Sequence, residues 1–279
     1  MDAASFRDDF DAALAARTPQ AFTALHKYVD GFIAHGRFGR HVTQVEESLA
    51  RLVDCYGVDA VQTICEEFVL WCNSAAMVAL SQGESSETLD LLTLADQHTT
   101  PGTSHLADDD KRKRLRGITL NNFACYFKRH GKLHTAIQYL EKTLKLEASI
   151  SNVENPAGTH LNICAILSQM GRHARAAEHA QCAIELLKFE RTKAKGELLM
   201  EKSSDSILAM AYYNWGVELE HMRRYDQAIK AFTRGHEVAC NELENNHPMI
   251  QAIYKELIEV EDRVAIKKGY SITPRASPR

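Results

Sequence analysis

Large apolar residues recur three and four positions apart along most of the chain, the spacing of one face of an α-helix. Between 120 and 147 the pattern reads Leu120, Phe123 and Phe127, a break at Gly131, then Ala136, Leu140 and Leu144. This spacing predicts two helices joined at Gly131. Sustained Val/Ile/Thr alternation, the mark of strands, is absent. The hairpin-like pair Asp30-Gly31 falls inside a helical stripe. The chain is predicted to be all-α.

Other segments repeat the same plan. Residues 1–57 read as two or three N-terminal helices, carried by Phe6, Phe10 and Leu14, then Phe22, Leu25, Val29 and Ile33, then Val45, Leu49 and Leu52. A helix from about 58 to 82 ends at Gly83 and is followed by one carrying Leu89, Leu92 and Ala95. Thr99-Thr100-Pro101-Gly102-Thr103 is a linker, and Asp108-Asp109-Asp110 opens the next helix, where negative charge suits the positive end of the helix dipole. Residues 151–158 read as a loop containing Pro156. Two further pairs follow, around Gly171 and over 207–243, with a polar connection at 190–204. Ile250, Ile253, Leu257 and Val260 predict a final amphipathic helix, and 269–279 a disordered tail.

Aligned on their mid-turns, the pairs share one register. Leu120-x-x-Phe123-Ala124-x-x-Phe127 is followed by Ala136 and Leu140, His160-x-x-Ile163-Cys164-x-x-Leu167 by Ala176 and Ala180, and Tyr212-x-x-Trp215-Gly216-x-x-Leu219 by Ala228 and Phe232. A weaker copy is Cys72-x-x-Ala75-Ala76-x-x-Ala79, then Thr88 and Leu92. The small residue lets paired helices approach, and the large ones fill the space between neighbouring pairs. This resembles the tetratricopeptide repeat (TPR). Asn122 and Asn162 are 40 residues apart and Asn162 and Asn214 are 52 apart, both beyond the standard repeat of about 34. Leu120-Asn121-Asn122 and Asn246-His247-Pro248 look like the longer repeats of kinesin light chains. His160 and Cys72 depart from the usual large first residue, and Gly235 from the usual Ala of the second helix. The resemblance implies a right-handed superhelix of stacked antiparallel helix pairs over 58–268, closed by a capping helix, with 1–57 as N-terminal helices that fit the repeat only loosely.

One residue recurs off the packing face. Asn122, Asn162 and Asn214 each precede the central large residue. At about 100° per residue Asn122 points roughly 150° from the centre of the Leu120/Phe123/Ala124/Phe127 face. An amide offers both a donor and an acceptor, so a ladder of them can hold a peptide backbone of any sequence. The resemblance implies this use of asparagine as well. Cys125, Arg129, Gln169, Tyr213 and His221 complete the candidate peptide-binding face. An equal reading of these amides is local, as partners for neighbouring helices or water.

Charge and chemistry narrow the picture further. A net charge of −4 argues against nucleic acid as the main partner. The run Lys111-Arg112-Lys113-Arg114-Leu115-Arg116 reads as a solvated first helical turn beside the Asp108 cluster, or as a targeting signal. No stretch approaches the roughly 20 apolar residues that cross a bilayer, and the first residues do not begin a signal peptide. The expected location is therefore the cytoplasm. Seven cysteines without a C-x-x-C are expected to be reduced core thiols, with no structural metal. Gly131-Lys132 lacks the other residues of a phosphate loop, and His236-Glu237 has Cys240 where a zinc-protease helix needs its second His. No catalytic motif and no cofactor are expected. The expected function is an interaction scaffold or adaptor whose concave groove takes a protein or peptide segment. The alternative is a structural subunit of a larger assembly, a role TPR-like proteins fill in cilia and flagella.

Overall fold

The computed structural model describes residues 3–33, 38–150, 156–194 and 203–268. Among these are twelve α-helices and no strand. In chain order they are α1 (Ala3–Ala15), α2 (Gln20–Ile33), α3 (Val42–Tyr56), α4 (Gln62–Gln82), α5 (Ser85–Thr99), α6 (Asp109–Arg129), α7 (Leu133–Glu147), α8 (Pro156–Gln169), α9 (His173–Ala194), α10 (Ser203–His221), α11 (Tyr225–Glu242) and α12 (Pro248–Lys267). They form two compact units, divided between Val153 and Glu154.

Local chemistry sets the helix ends. Gly83, Gly131 and Gly171 take φ of 88°, 71° and 69°, the left-handed conformation that glycine adopts without strain. Asp108 caps α6 by accepting a 3.0 Å bond from the Lys111 amide. Pro156 opens α8 rather than lying in a loop, because its missing N–H costs nothing in the first turn. The loop expected over 151–158 is therefore helical from 156, while 151–155 lie outside the described residues. So do the tail 269–279 and most of the connection expected at 190–204, which α9 enters as far as Ala194.

In the first unit, α1 to α3 share one core with α4 to α6. Phe6 stacks on Tyr28 at 4.0 Å, and Phe10, Leu25, Leu49, Phe68, Cys72, Leu92 and Phe123 belong to the same buried cluster. Residues 1–57 thus share their core with α4 to α6 inside the first compact unit. Each fully buried Phe or Leu contributes about 1.5–3 kcal/mol. The segment Asp59–Gln82 is long and apolar enough by composition to cross a membrane, contrary to the sequence expectation. Its Ile64, Phe68, Val69, Cys72 and Ala76 are instead buried in this core.

Helices α4 and α6 lie side by side in a steady register. Lys111 Nζ reaches Glu66 across 45 residues. Asn73 meets Thr119 across 46, and Asn122 meets Asn73 across 49. Arg129 contacts the Ser81 carbonyl across 48. This offset matches the Cys72-to-Leu120 spacing, so the weak copy is a structural repeat.

In the second unit, α8/α9 and α10/α11 form the pairs and α12 packs on α11 and α10. Two glycines permit the closest approaches. A Cβ at Gly216 would lie 2.6 Å from the Phe232 ring, and one at Gly235 would lie 3.0 Å from Tyr212 Cβ. The Ala expected at 235 is missing because Tyr212 fills its place. Only Ile253 and Val260 of α12 are fully buried, as a capping helix with a polar outer face requires.

Candidate functional site

Of the candidate residues, Asn122, Cys125 and Arg129 lie on α6 in the first unit. Asn162 and Gln169 lie on α8, and Tyr213, Asn214 and His221 on α10, in the second. Asn122 leans toward α4, where its Nδ2 donates a 2.8 Å bond to Asn73 Oδ1. Asn73 is buried and donates to the Val69 carbonyl and to Thr119 Oγ1, both at 2.9 Å. Asn122 is therefore the half-exposed end of an amide network that joins two helices. Cys125 is half-buried, and burial pushes its thiol above the ordinary value. Arg129 is exposed, with the Ser81 carbonyl at 3.4 Å.

In the second unit Asn162 and Gln169 are exposed and Asn214 is half-buried. Tyr213 is drawn into packing, its ring 6.0 Å from Phe232. Burial, and then the Glu256 carboxylate, raise its phenol above the ordinary value. His221 stacks on His173 at 4.2 Å. His173 Nδ1 lies 2.8 Å from Glu218 Oε2, and Glu218 is only 2% exposed. Cys164 is buried beside it, its thiol pushed up to about 12 by burial and then by that carboxylate.

Each unit also exposes apolar residues that the asparagine pattern did not pick out. Leu70, Ile118 and Met210 are 44%, 38% and 42% exposed. Each precedes the first large residue of its repeat (Cys72, Leu120, Tyr212) by two positions. At about 100° per residue Ile118 lies nearly opposite the Leu120/Phe123/Phe127 face, farther round than Asn122. The register of α4 and α6 sets Leu70 level with Ile118. The signal was present in the sequence as an apolar residue on what should be the polar side.

The basic run at the start of α6 is paired internally. Lys111 bonds Glu66, Arg112 and Lys113 bond Asp109, and Arg116 bonds Asp96. The expectation of buried thiols holds for Cys65, Cys72 and Cys164. Cys55 and Cys125 are half-buried, and Cys182 and Cys240 are exposed, because they fall on the solvent faces of α9 and α11. All seven are free.

The sequence matches no family model and no curated protein. Solved structures do match. BtubC (BKLC) from P. vanneervenii aligns over 90% of this chain and 96% of its own, with 19% identity and a TM-score of 0.58. The nearly identical TPR-like repeats of a candidate kinesin light chain from Podosopora anserina align over 71% of this chain and 87% of theirs, with 12% identity and a TM-score of 0.51. A single-substitution variant of those repeats aligns over the same shares with a TM-score of 0.53. At these identities the likeness is one of fold, and that fold is an all-α array of TPR-like helix pairs.

Proposed function

We propose that this chain is a protein-interaction scaffold that holds a peptide or helical segment on the exposed faces of α4 and α6, the first helices of the repeats in its first unit. The observation that carries the reading is the pair Leu70 and Ile118, two exposed aliphatic side chains level with one another, with Asn122, Cys125 and Arg129 following along the same side of α6. Apolar anchors next to donors and acceptors suit a peptide with mixed side chains. The internal pairing of the 111–116 run supports a protein partner over a phosphate backbone, which needs uncommitted cations.

The test is selection from a displayed random-peptide library on the purified chain, with the winners measured by fluorescence anisotropy. Binding should weaken at least about tenfold in Ile118→Lys or Leu70→Asp, a loss of about 1.4 kcal/mol, with the helical circular dichroism unchanged. Winners that bind both variants as tightly as the parent would rule out this face.

A further inference from the structure

The turn between α10 and α11 departs from its sister turns. Gly83, Gly131 and Gly171 stand two residues before the second helix of their pairs, each at positive φ. Arg223 holds this position in the last pair, at φ 60°. The backbone bonds are the same. The amides of 223 and 224 bond the carbonyls of Glu220 and Leu219, as those of 131 and 132 bond Lys128 and Phe127. A side chain makes this conformation costly, and glycine would remove the cost. Arg17 is the other non-glycine residue at positive φ among those described, and it lies outside the repeats. Lys132 and Arg172 match Arg224, so Arg223 is what sets the fourth turn apart.

The Arg223 side chain joins three further cations. Arg223, Arg224, Lys267 and Lys268 line a cleft of about 410 Å³ between the start of α11 and the end of α12, with Asp226 as the one carboxylate of its lining. All four cations are exposed, and none enters an ion pair among the described residues. Glu220 and Glu259, on α10 and α12, are both taken up by Arg263. Lys267 Nζ sits 4.2 Å from the centre of the Tyr225 ring, a contact that ties the end of α12 to the start of α11.

We infer that this cleft is a docking site for an acidic protein segment, a short run of Asp and Glu. Its uncommitted cations can bond several carboxylates at once, and an arginine fork takes both oxygens of one. Tyr225 and Val264, half-buried in the lining, offer apolar contact to a neighbouring side chain of the same segment. A nucleic-acid backbone needs cations spread along a stripe, whereas these converge on one cleft, and the net charge of −4 opposes a long polyanion. The cleft belongs to the second unit and the proposed peptide face to the first, so each can fail without the other.

The probe is a fluorescein-labelled peptide carrying a glutamate run, measured by anisotropy with the purified full-length chain. A peptide with glutamines in their place is the control. The acidic peptide should bind saturably and more weakly as salt is added, and the glutamine peptide should not bind. Lys267→Gln/Lys268→Gln should weaken binding at least about tenfold. Arg223→Gly should also weaken it while leaving the melting temperature at or above the parent's, since one change removes both the cation and the costly backbone. A purely structural role for Arg223 would not part these two readouts. Arg7→Gln/Lys27→Gln removes two exposed cations of the first unit and should leave the affinity unchanged. The assignment is overturned by a lack of saturable binding, by an affinity that survives the cleft variants or falls equally in Arg7→Gln/Lys27→Gln, or by tighter binding of single-stranded DNA or phosphatidylserine vesicles.

Discussion

A methyl group at position 216 would lie 2.6 Å from the edge of the Phe232 ring, which is itself fully buried. Phe232 has nowhere to retreat, so Gly216→Ala is an overpacking substitution. It should destabilise the chain by about 1–3 kcal/mol in urea unfolding, although alanine is the better helix former. Glu218 presents the opposite problem, a buried carboxylate whose close partner is His173. His173→Ala leaves that charge unpaired and should cost about 3–5 kcal/mol. Adding Glu218→Gln should return much of the loss, and equilibrium denaturation of the single and double variants measures both. Glu218 lies between Val217 and Leu219 in the sequence. Nothing local marked it as buried, because its burial depends on how α9 and α10 meet.

At the scale of elements, the helix pairs were legible because the 3.6-residue period, the turn glycines and the large–small–large pattern agree. The Asp108 cap and the Gly131 turn follow from the same local chemistry. What the sequence left open was which inter-helix pairs form. Asn122 reads from sequence either as an outward amide or as a partner for a neighbouring helix, and Asn73, 49 residues away, takes its donor. Asn73→Ala should therefore lower the melting temperature more than Asn122→Ala, since it removes the centre of the network and leaves the buried position empty. The His160 that replaces a large first residue is explained by α9, where His179 Nδ1 lies 3.0 Å from His160 Nδ1. Burial lowers the pKa of His160. Burial, then His160 and Arg175, lower that of His179 to about 4. The folded pair stays neutral while the unfolded chain's histidines take up protons below about pH 6.5. Stability should therefore be flat above about 6.5 and fall as pH drops toward 4. A His160→Leu/His179→Leu variant should show a shallower fall in melting temperature over that window.

For the whole molecule, the boundary at 153/154 falls in the polar stretch Ser151-Asn152-Val153-Glu154-Asn155. The sequence shows a connection there. It does not show that α1 to α3 join α4 to α6 in one core, because that depends on contacts such as Phe6 on Tyr28 and Phe68 among Leu92 and its neighbours. The thiols offer a test across both units. With all seven free, a reductant should leave the melting temperature unchanged. A disulfide-exchange reagent should label Cys182 and Cys240 first, Cys55 and Cys125 more slowly, and Cys65, Cys72 and Cys164 only on unfolding. Burial raises the thiol pKa values of Cys65 to about 11 and Cys164 to about 12, which suppresses the reactive thiolate there.

The fit between Gly216 and Phe232 also constrains how this chain can diverge. The equivalent small positions in two other repeats hold Ala124 and Cys164, so glycine is not a general demand of the fold. At 216 it is tied to one bulky neighbour. Enlarging 216 first crowds the ring, and shrinking 232 first opens a cavity. Both routes to a swapped pair pass through a less stable intermediate, so the two positions should change together in descendants of this sequence. A survey of its relatives should find the combined volume at 216 and 232 held nearly constant while either residue alone varies.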